Sequence, residues 1–298
     1  MKLTLKFYPR WTGQQEQIIE ELSFHTTKLY NIANHQNREN QYKSYHALER
    51  ELKSNWHKEY LHSHTYQQCL KVLEQNWKSY FKALEDYRKN PNKYKAMPQP
   101  PGYKHVDKRK NEVIFTNFAI RKIDGNLLLS LSKKIQDVFQ VDSLKVEVKH
   151  LPLPEDANIQ QIRIQFDRIK KVWYLLIIYQ MKPKKISNAP HLMAIDLGLD
   201  NLAAITFSHS KDNYLISGKQ LKSINGYINQ RIAHYQSIRM KQVGAKAFGT
   251  TKHIQKLRMK RHHILQNYLH QASRKIIELA KTYQVGKIVI GEIKEIKQ

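Results

Sequence analysis

The hydrophobic period of this chain changes twice, and the order of those changes constrains its fold more than any single motif. Ile18, Ile19, Leu22, Leu29, Tyr30 and Ala33 recur at helical spacing between residues 14 and 36, and Leu70, Leu73, Trp77, Phe81 and Leu84 repeat the pattern as helix-helix core. Beyond residue 110 the period becomes two: Leu144, Val146 and Val148 alternate with charged residues, as do Ile162, Ile164 and Phe166. After residue 190, short apolar strands alternate with long helical stretches, the pattern of an α/β unit. Helices, then antiparallel strands, then α/β make the chain α+β, and its 298 residues suit about two domains.

Gly and Pro punctuate these blocks. Residues 3–8 read as a strand that Pro9 to Gly13 breaks, so this strand can join the later ones from across the helical block. Pro98, Pro100, Pro101 and Gly102 exclude regular helix from residues 89–110, which form a basic connector. Residues 113–120 and 125–131 flank Asp124-Gly125, a favoured hairpin dipeptide, and residues 172–179 read as a strand buried on both faces. These strands predict a small antiparallel β-barrel with a helical insertion. Past a linker at residues 182–190, three short strands (193–197, 202–207 and 214–217) precede a long polar helix over 219–241 and a break at 244–250. A second helix keeps Ile254, Leu257, Leu265, Tyr268, Ala272, Ile276 and Leu279 on one face and stops at Gly286, before a last strand, Ile288 to Ile290. The expected partition is 1–13 with 111–182 for the barrel, 14–110 for the helical insertion and basic connector, and 191–298 for the α/β domain.

A formal net charge of +26 exceeds what solubility needs and predicts a polyanionic partner held through phosphates. Candidate contacts are Lys104, Lys108, Arg109 and Lys110 in the connector, and Lys252, Lys256, Arg258, Lys260, Arg261 and Arg274 on the last helix. Tyr87, Tyr94 and Tyr103 interleave with the connector's cations, which suits base stacking, Tyr103 above all, and suits equally a solvated loop whose tyrosines pack locally. No stretch approaches the roughly 20 apolar residues of a membrane span, and the start of the chain lacks a signal peptide's apolar block, so a cytoplasmic protein is expected. Cys69 is the one cysteine; it excludes an internal disulfide and a cysteine-based zinc site, and reads as a small core residue. His57, His62 and His64, or His262 and His263, are neighbours that 15 histidines produce by chance, so no zinc site is expected. The sequence has no P-loop and no Gly-x-Ser-x-Gly nucleophile setting.

Two carboxylates sit where chemistry can use them. Asp196 ends the apolar run 192–197, and Gly198 lets the backbone turn away at once; Asp in this position is also a common turn former. Glu292 follows the last apolar strand. Two strands with acidic ends, separated by a hairpin and two long helices, describe the first part of an RNase H-like nuclease core. Such a core hydrolyses a phosphodiester with two Mg²⁺ ions, one activating water and one stabilising the leaving oxygen, held by oxygens from separate segments. A third acidic element would complete it, and none precedes Gln298.

The run Met-Ala-Ile-Asp-Leu-Gly-Leu-Asp-Asn-Leu-Ala-Ala at 193–204 resembles the first RuvC motif of the TnpB or OrfB proteins of insertion sequences, which are relatives of the type V CRISPR effectors. Residues 216–225 are similar to that family's segment after the third strand, Tyr268-Leu-His-Gln-Ala-Ser-Arg274 to its bridging helix, and residues 287–292 to its second motif. The resemblance implies a wedge-type barrel with a helical recognition insertion, followed by an incomplete RNase H-like (RuvC) α/β domain. It implies Mg²⁺ or Mn²⁺ held by Asp196 and Glu292, as a transposase-related, RNA-guided endonuclease that binds guide RNA and a double-stranded DNA target. Gly291 intervenes before the second acid where many members have none; a bulge there would bring Glu292 round, and Glu295 is the alternative. The family's third motif and zinc ribbon are missing, so this polypeptide alone is expected not to be a competent nuclease. Besides a truncated nuclease, two readings stay open: a guide-RNA/DNA-binding module that recognises without cutting, and an architectural basic protein.

Overall fold

In the computed structural model, which describes residues 1–39, 41–107, 109–182, 189–244 and 250–291, the chain divides into two units, Met1–Pro183 and Lys184–Gln298. The first begins with β1 (Lys2–Phe7), then the helices α1 (Gly13–Glu39), α2 (Tyr45–Glu51), α3 (Trp56–Glu59) and α4 (Ser63–Lys89). Thr12 starts α1 by accepting the Gln15 amide, as an N-cap should. After the connector come β2 (Val113–Thr116), β3 (Ile120–Ile123), β4 (Asn126–Ser130), α5 (Lys133–Phe139), β5 (Ser143–Glu147), β6 (Asn158–Asp167) and β7 (Val172–Gln180). β1 returns across the helical block to pair with β7, Leu3 opposite Tyr179 and Leu5 opposite Ile177.

These strands form two sheets, in the orders β1-β7-β6-β2 and β3-β4-β5, and β1 and β2 are not paired with each other among the described residues. One apolar core serves both sheets and the helices: Val113, Phe115, Ile162, Trp173 and Ile177 meet Ile19, Leu22, Leu70 and Leu73 together with Leu129 and Val146. Asp124 and Gly125 have φ of 47° and 71°, the left-handed pair of a tight hairpin turn joining β3 to β4.

Several expectations need correction. Residues 113–120 are not one strand, because β2 belongs to one sheet and β3 to the other; a 3₁₀ turn at Asn117–Ala119 makes the corner. The run 172–179 buries one face only: Trp173, Leu175, Ile177 and Tyr179 are buried, and the residues between them are half-buried. Helix α5 leaves no mark in the sequence pattern, since its seven residues bury Ile135 alone and show no period. Phe81 is 40% exposed instead of lying in the core with Leu70, Leu73 and Trp77.

The second unit contains β8 (His191–Leu197), β9 (Asn201–Phe207), β10 (Asn213–Ser217), α6 (Lys219–Val243), α7 (Lys252–Thr282) and β11 (Val285–Ile290). The sheet order is β10-β9-β8-β11, antiparallel except that β11 runs parallel to β8 after the two helices. Met193, Ile195, Ala203, Ile205 and Phe207 bury the lower face against Leu279 and Ala280 of α7. Thr251 caps α7 through the Ile254 amide at 3.2 Å, and Ile254 packs against Ile228 and Ile232 of α6. Gly286 does not stop the helix. α7 ends at Thr282 and Gly286 lies inside β11, where a Cβ would stand 2.0 Å from the Ala189 carbonyl oxygen. The linker residues 183–188 and the break residues 245–249 lie outside the described residues.

Candidate functional site

Strand alternation decides what Asp196 faces. On β8, Met193 and Ile195 enter the core, so Leu192, Ala194 and Asp196 lie on the opposite, open face. β8 is one of the two internal strands of its sheet, Asp196 standing opposite Ala204 of β9 and β11 running along the other edge. Gly198 ends the strand with a turn that a side chain would crowd, its Cβ falling 2.9 Å from the Asn201 carbonyl oxygen. The Asp196 carboxylate is exposed and has no hydrogen bond or ion pair among the described residues. Ala194, Ala204, Thr206, Leu215 and Val289 surround it in a shallow hollow of about 540 Å³. Small neighbours beside an unengaged carboxylate leave room for a ligand.

The register of β11 bears directly on the second acid. Ile290 stands opposite Ile195, and the Gly291 amide donates to the Ile195 carbonyl at 2.9 Å, so pairing continues one residue past the strand. A Cβ on Gly291 would lie 3.5 Å from Asp196 Oδ1. Position 291 therefore shares the face of Asp196, and a strand continuing regularly would aim the next side chain at the other face. Glu292 and Glu295 lie outside the described residues. The other acid of the run, Asp200, is engaged: Lys222 of α6 reaches it at 2.9 Å, and its carbonyl takes the Gly218 amide at 2.7 Å.

A hard divalent cation takes six or more oxygens. Among the described residues no three His, Cys, Asp or Glu side chains gather to hold one, and Asp196 supplies a single carboxylate. The described part of the site thus offers one ligand, and the remainder would have to come from elsewhere.

The predicted cations differ in how far the protein already uses them. Helix α7 carries Glu278 as its only acid, and Lys252, Lys256, Arg258 and Lys260 are exposed on it with no ion pair among the described residues. Arg261 donates to Asn229 of α6 at 2.5 Å, and Arg274 pairs with Glu278 at 2.9 Å. In the first unit, Arg109 pairs with Glu21 and lies 4.6 Å from the Phe24 ring centroid. Lys110 pairs with Glu20 and covers Phe166 at 4.5 Å, and Lys104 sits 4.0 Å over Tyr30. These three fasten the connector to α1 and the sheet. Tyr103 is 49% exposed, and Lys108 lies outside the described residues.

Sequence reasoning missed one polar constellation. His25 and His57 are 2% and 5% exposed and face each other, Nδ1 to Nδ1, at 2.9 Å; no local spacing joins residues 32 apart. Burial first, then His57 and Arg109, lower the pKa of His25 from 6.5 to about 3. Burial also pushes the Cys69 thiol up to about 11, and that thiol donates to the Thr26 carbonyl.

Comparison with known proteins adds three findings. A family model, OrfB_IS605, described as "Probable transposase", matches residues 177–297, a segment that contains Asp196 and both long helices. No curated protein matches the chain. Among solved structures, a Cas12f1-sgRNA-target DNA complex aligns over 100% of this chain and 82% of that one, with a TM-score of 0.58 at 12% identity. A CRISPR-Cas12f ternary complex aligns over 95% of this chain and 64% of that one, with a TM-score of 0.38 at 13% identity. The first alignment shows a shared fold, α+β with antiparallel sheets. No helix among the described residues is long and apolar enough to cross a membrane.

Proposed function

We propose, starting from the OrfB-type transposase pattern that residues 177–297 carry, that the chain is a transposon-associated protein that binds a guide RNA and a double-stranded DNA target in the cytoplasm, within a family whose activity is RNA-guided DNA cleavage. The observation that carries this reading is Asp196, without a partner among the described residues, on the open face of the strand that β9 and β11 flank, with residue 291 beside it. In this reading the second unit is a RuvC-like domain, and the two sheets of the first unit do the work of a wedge barrel around a helical recognition insertion. Asp196 and Glu292 supply oxygens to Mg²⁺ or Mn²⁺, Glu292 by way of a backbone departure at Gly291. Sequence would be read by base pairing, and the protein would hold backbone shape through Lys252, Lys256, Arg258, Lys260, Arg261 and Arg274, with Tyr103, Lys104, Lys108, Arg109 and Lys110 in the connector.

A second reading is recognition of guide RNA and target DNA without cleavage, in which the exposed cations of α7 hold the strands and Asp196 takes no part in cutting. With two candidate carboxylates, residues 1–298 assayed by themselves are expected to cut orders of magnitude more slowly than a three-carboxylate site.

The experiment is to purify the protein, sequence the RNA bound to it, and measure binding of that RNA against salt. One discrete structured RNA, bound with a steep salt dependence, is expected. Lys252→Gln with Lys256→Gln and Lys260→Gln should reduce the slope by roughly 0.7 to 0.9 for each phosphate that the protein no longer neutralises. Asp196→Ala should leave RNA binding intact while removing any Mn²⁺-dependent cleavage. Weak, structure-blind binding of every polyanion would overturn both readings in favour of an architectural role.

A further inference from the structure

We infer that a cleft on the helical part of the first unit, between α1, α4 and the Pro-rich loop, receives one unpaired nucleobase of a bound strand. The inference rests on the nucleic-acid reading above and gives it a stacking site that neither the basic residues nor Asp196 supplies.

The cleft has about 580 Å³ of open volume, and Tyr42, Trp77, Tyr80, Phe81 and Tyr103 bring their rings to it. Trp77 is buried and forms the floor; Phe81 meets Tyr42 edge-on at 5.2 Å and stands 5.6 Å from Trp77. Phe81 and Tyr103 are 40% and 49% exposed, so each leaves ring surface open to a flat partner. Tyr103 is nevertheless held firmly. Its hydroxyl lies 3.1 Å from His35 Nδ1, and the Arg38 guanidinium lies 5.2 Å from its ring centroid.

The loop beneath Tyr103 is fastened on both sides. Asn34, with no exposed surface, donates to the Pro101 carbonyl at 2.8 Å and accepts Trp77 Nε1 at 2.9 Å, so one amide ties the floor of the cleft to its wall. Asn31 closes a reciprocal pair with Lys104, both bonds at 2.8 Å. An exposed aromatic ring on a pre-ordered backbone gives up little freedom when a flat partner stacks on it. The charges at the mouth select which part of a nucleotide enters. Arg38 offers a planar cation and Glu39 a carboxylate, a pair that disfavours a phosphate inside and suits the mixed donor and acceptor edge of a base. Phosphates are left to the surplus of a chain with net charge +26.

The test uses the full chain and a short single-stranded oligonucleotide carrying one 2-aminopurine, read by anisotropy and by quenching of the modified base. Tyr103→Ala and Phe81→Ala should each weaken binding roughly 5- to 100-fold and restore probe fluorescence, with the salt slope unchanged, because each removes a stacked ring and leaves the phosphates neutralised as before. Tyr103→Phe keeps the ring and should bind like the native chain. Far-UV circular dichroism and a urea midpoint close to the native chain's show that the fold persists in the variants. Alanine variants that match the native chain in affinity and quenching would overturn this inference alone, as would a proline-rich or methyl-lysine peptide that competes with no oligonucleotide. A native chain that binds no oligonucleotide at all would remove the functional reading with it.

Discussion

Acidification should destabilise the first unit through the His25–His57 pair, by an amount that can be worked out. With the two Nδ1 atoms 2.9 Å apart, one ring donates and the other accepts, and a second proton would set two N–H groups against each other. His25 also stacks on Tyr60 at 3.9 Å, with Phe24 and Trp56 edge-on, so water cannot solvate a charge there. Charged groups nearby are Glu21, 3.6 Å from Nε2, Arg109, which pairs with that same Glu21 and offsets it, and Lys28, whose charge also opposes protonation of His57. The folded protein keeps His25 neutral down to a pKa of about 3, whereas the unfolded chain takes up its proton near 6.5. Between those values the unfolded state binds more protons, so this contribution is whole above about pH 6.5 and drains as pH falls towards 3. From about pH 7.5 to about pH 5.5 the loss is about 1.4 kcal/mol for His25 alone. His57, whose pKa burial also lowers, adds to it in the same direction.

Trp11, Trp56, Trp77 and Trp173 all belong to the first unit, so tryptophan fluorescence in urea follows that unit by itself. His25→Phe with His57→Phe removes both titrating rings and leaves no orphaned partner. The native chain should lose at least about 1.4 kcal/mol more than this variant over the interval. Equal losses in the two proteins would refute the buried neutral pair.

Two further outcomes test the packing on which both units depend. Gly286→Ala should destabilise the second unit by about 1 to 3 kcal/mol, because the methyl group meets the Ala189 carbonyl oxygen, which is backbone and cannot swing aside; unchanged amide-exchange protection in β8 and β11 would contradict that close approach. The Cys69 thiol, buried and raised to about 11, should resist a thiol reagent at neutral pH until urea unfolds the protein. Fast labelling of the native chain would show that the helical core is open at Thr26.

Local chemistry made much of this protein legible from its residues. The helical stripes, the Asp124-Gly125 hairpin and the two long helices of the second unit follow from period and turn propensity, which act over a few residues. The alternation along β8 likewise left Asp196 at a strand end, away from the core. What the sequence could not contain is which strand lies beside which, and in what register. That register puts position 291 next to Asp196, a relation between residues 95 apart that no pattern along the chain encodes. The same holds for His25 against His57, for the glutamates that claim Arg109 and Lys110, and for the amide of Asn34 that binds the loop carrying Tyr103 to Trp77. Periodicity says which face of an element is apolar; only folding decides which distant groups that face brings together.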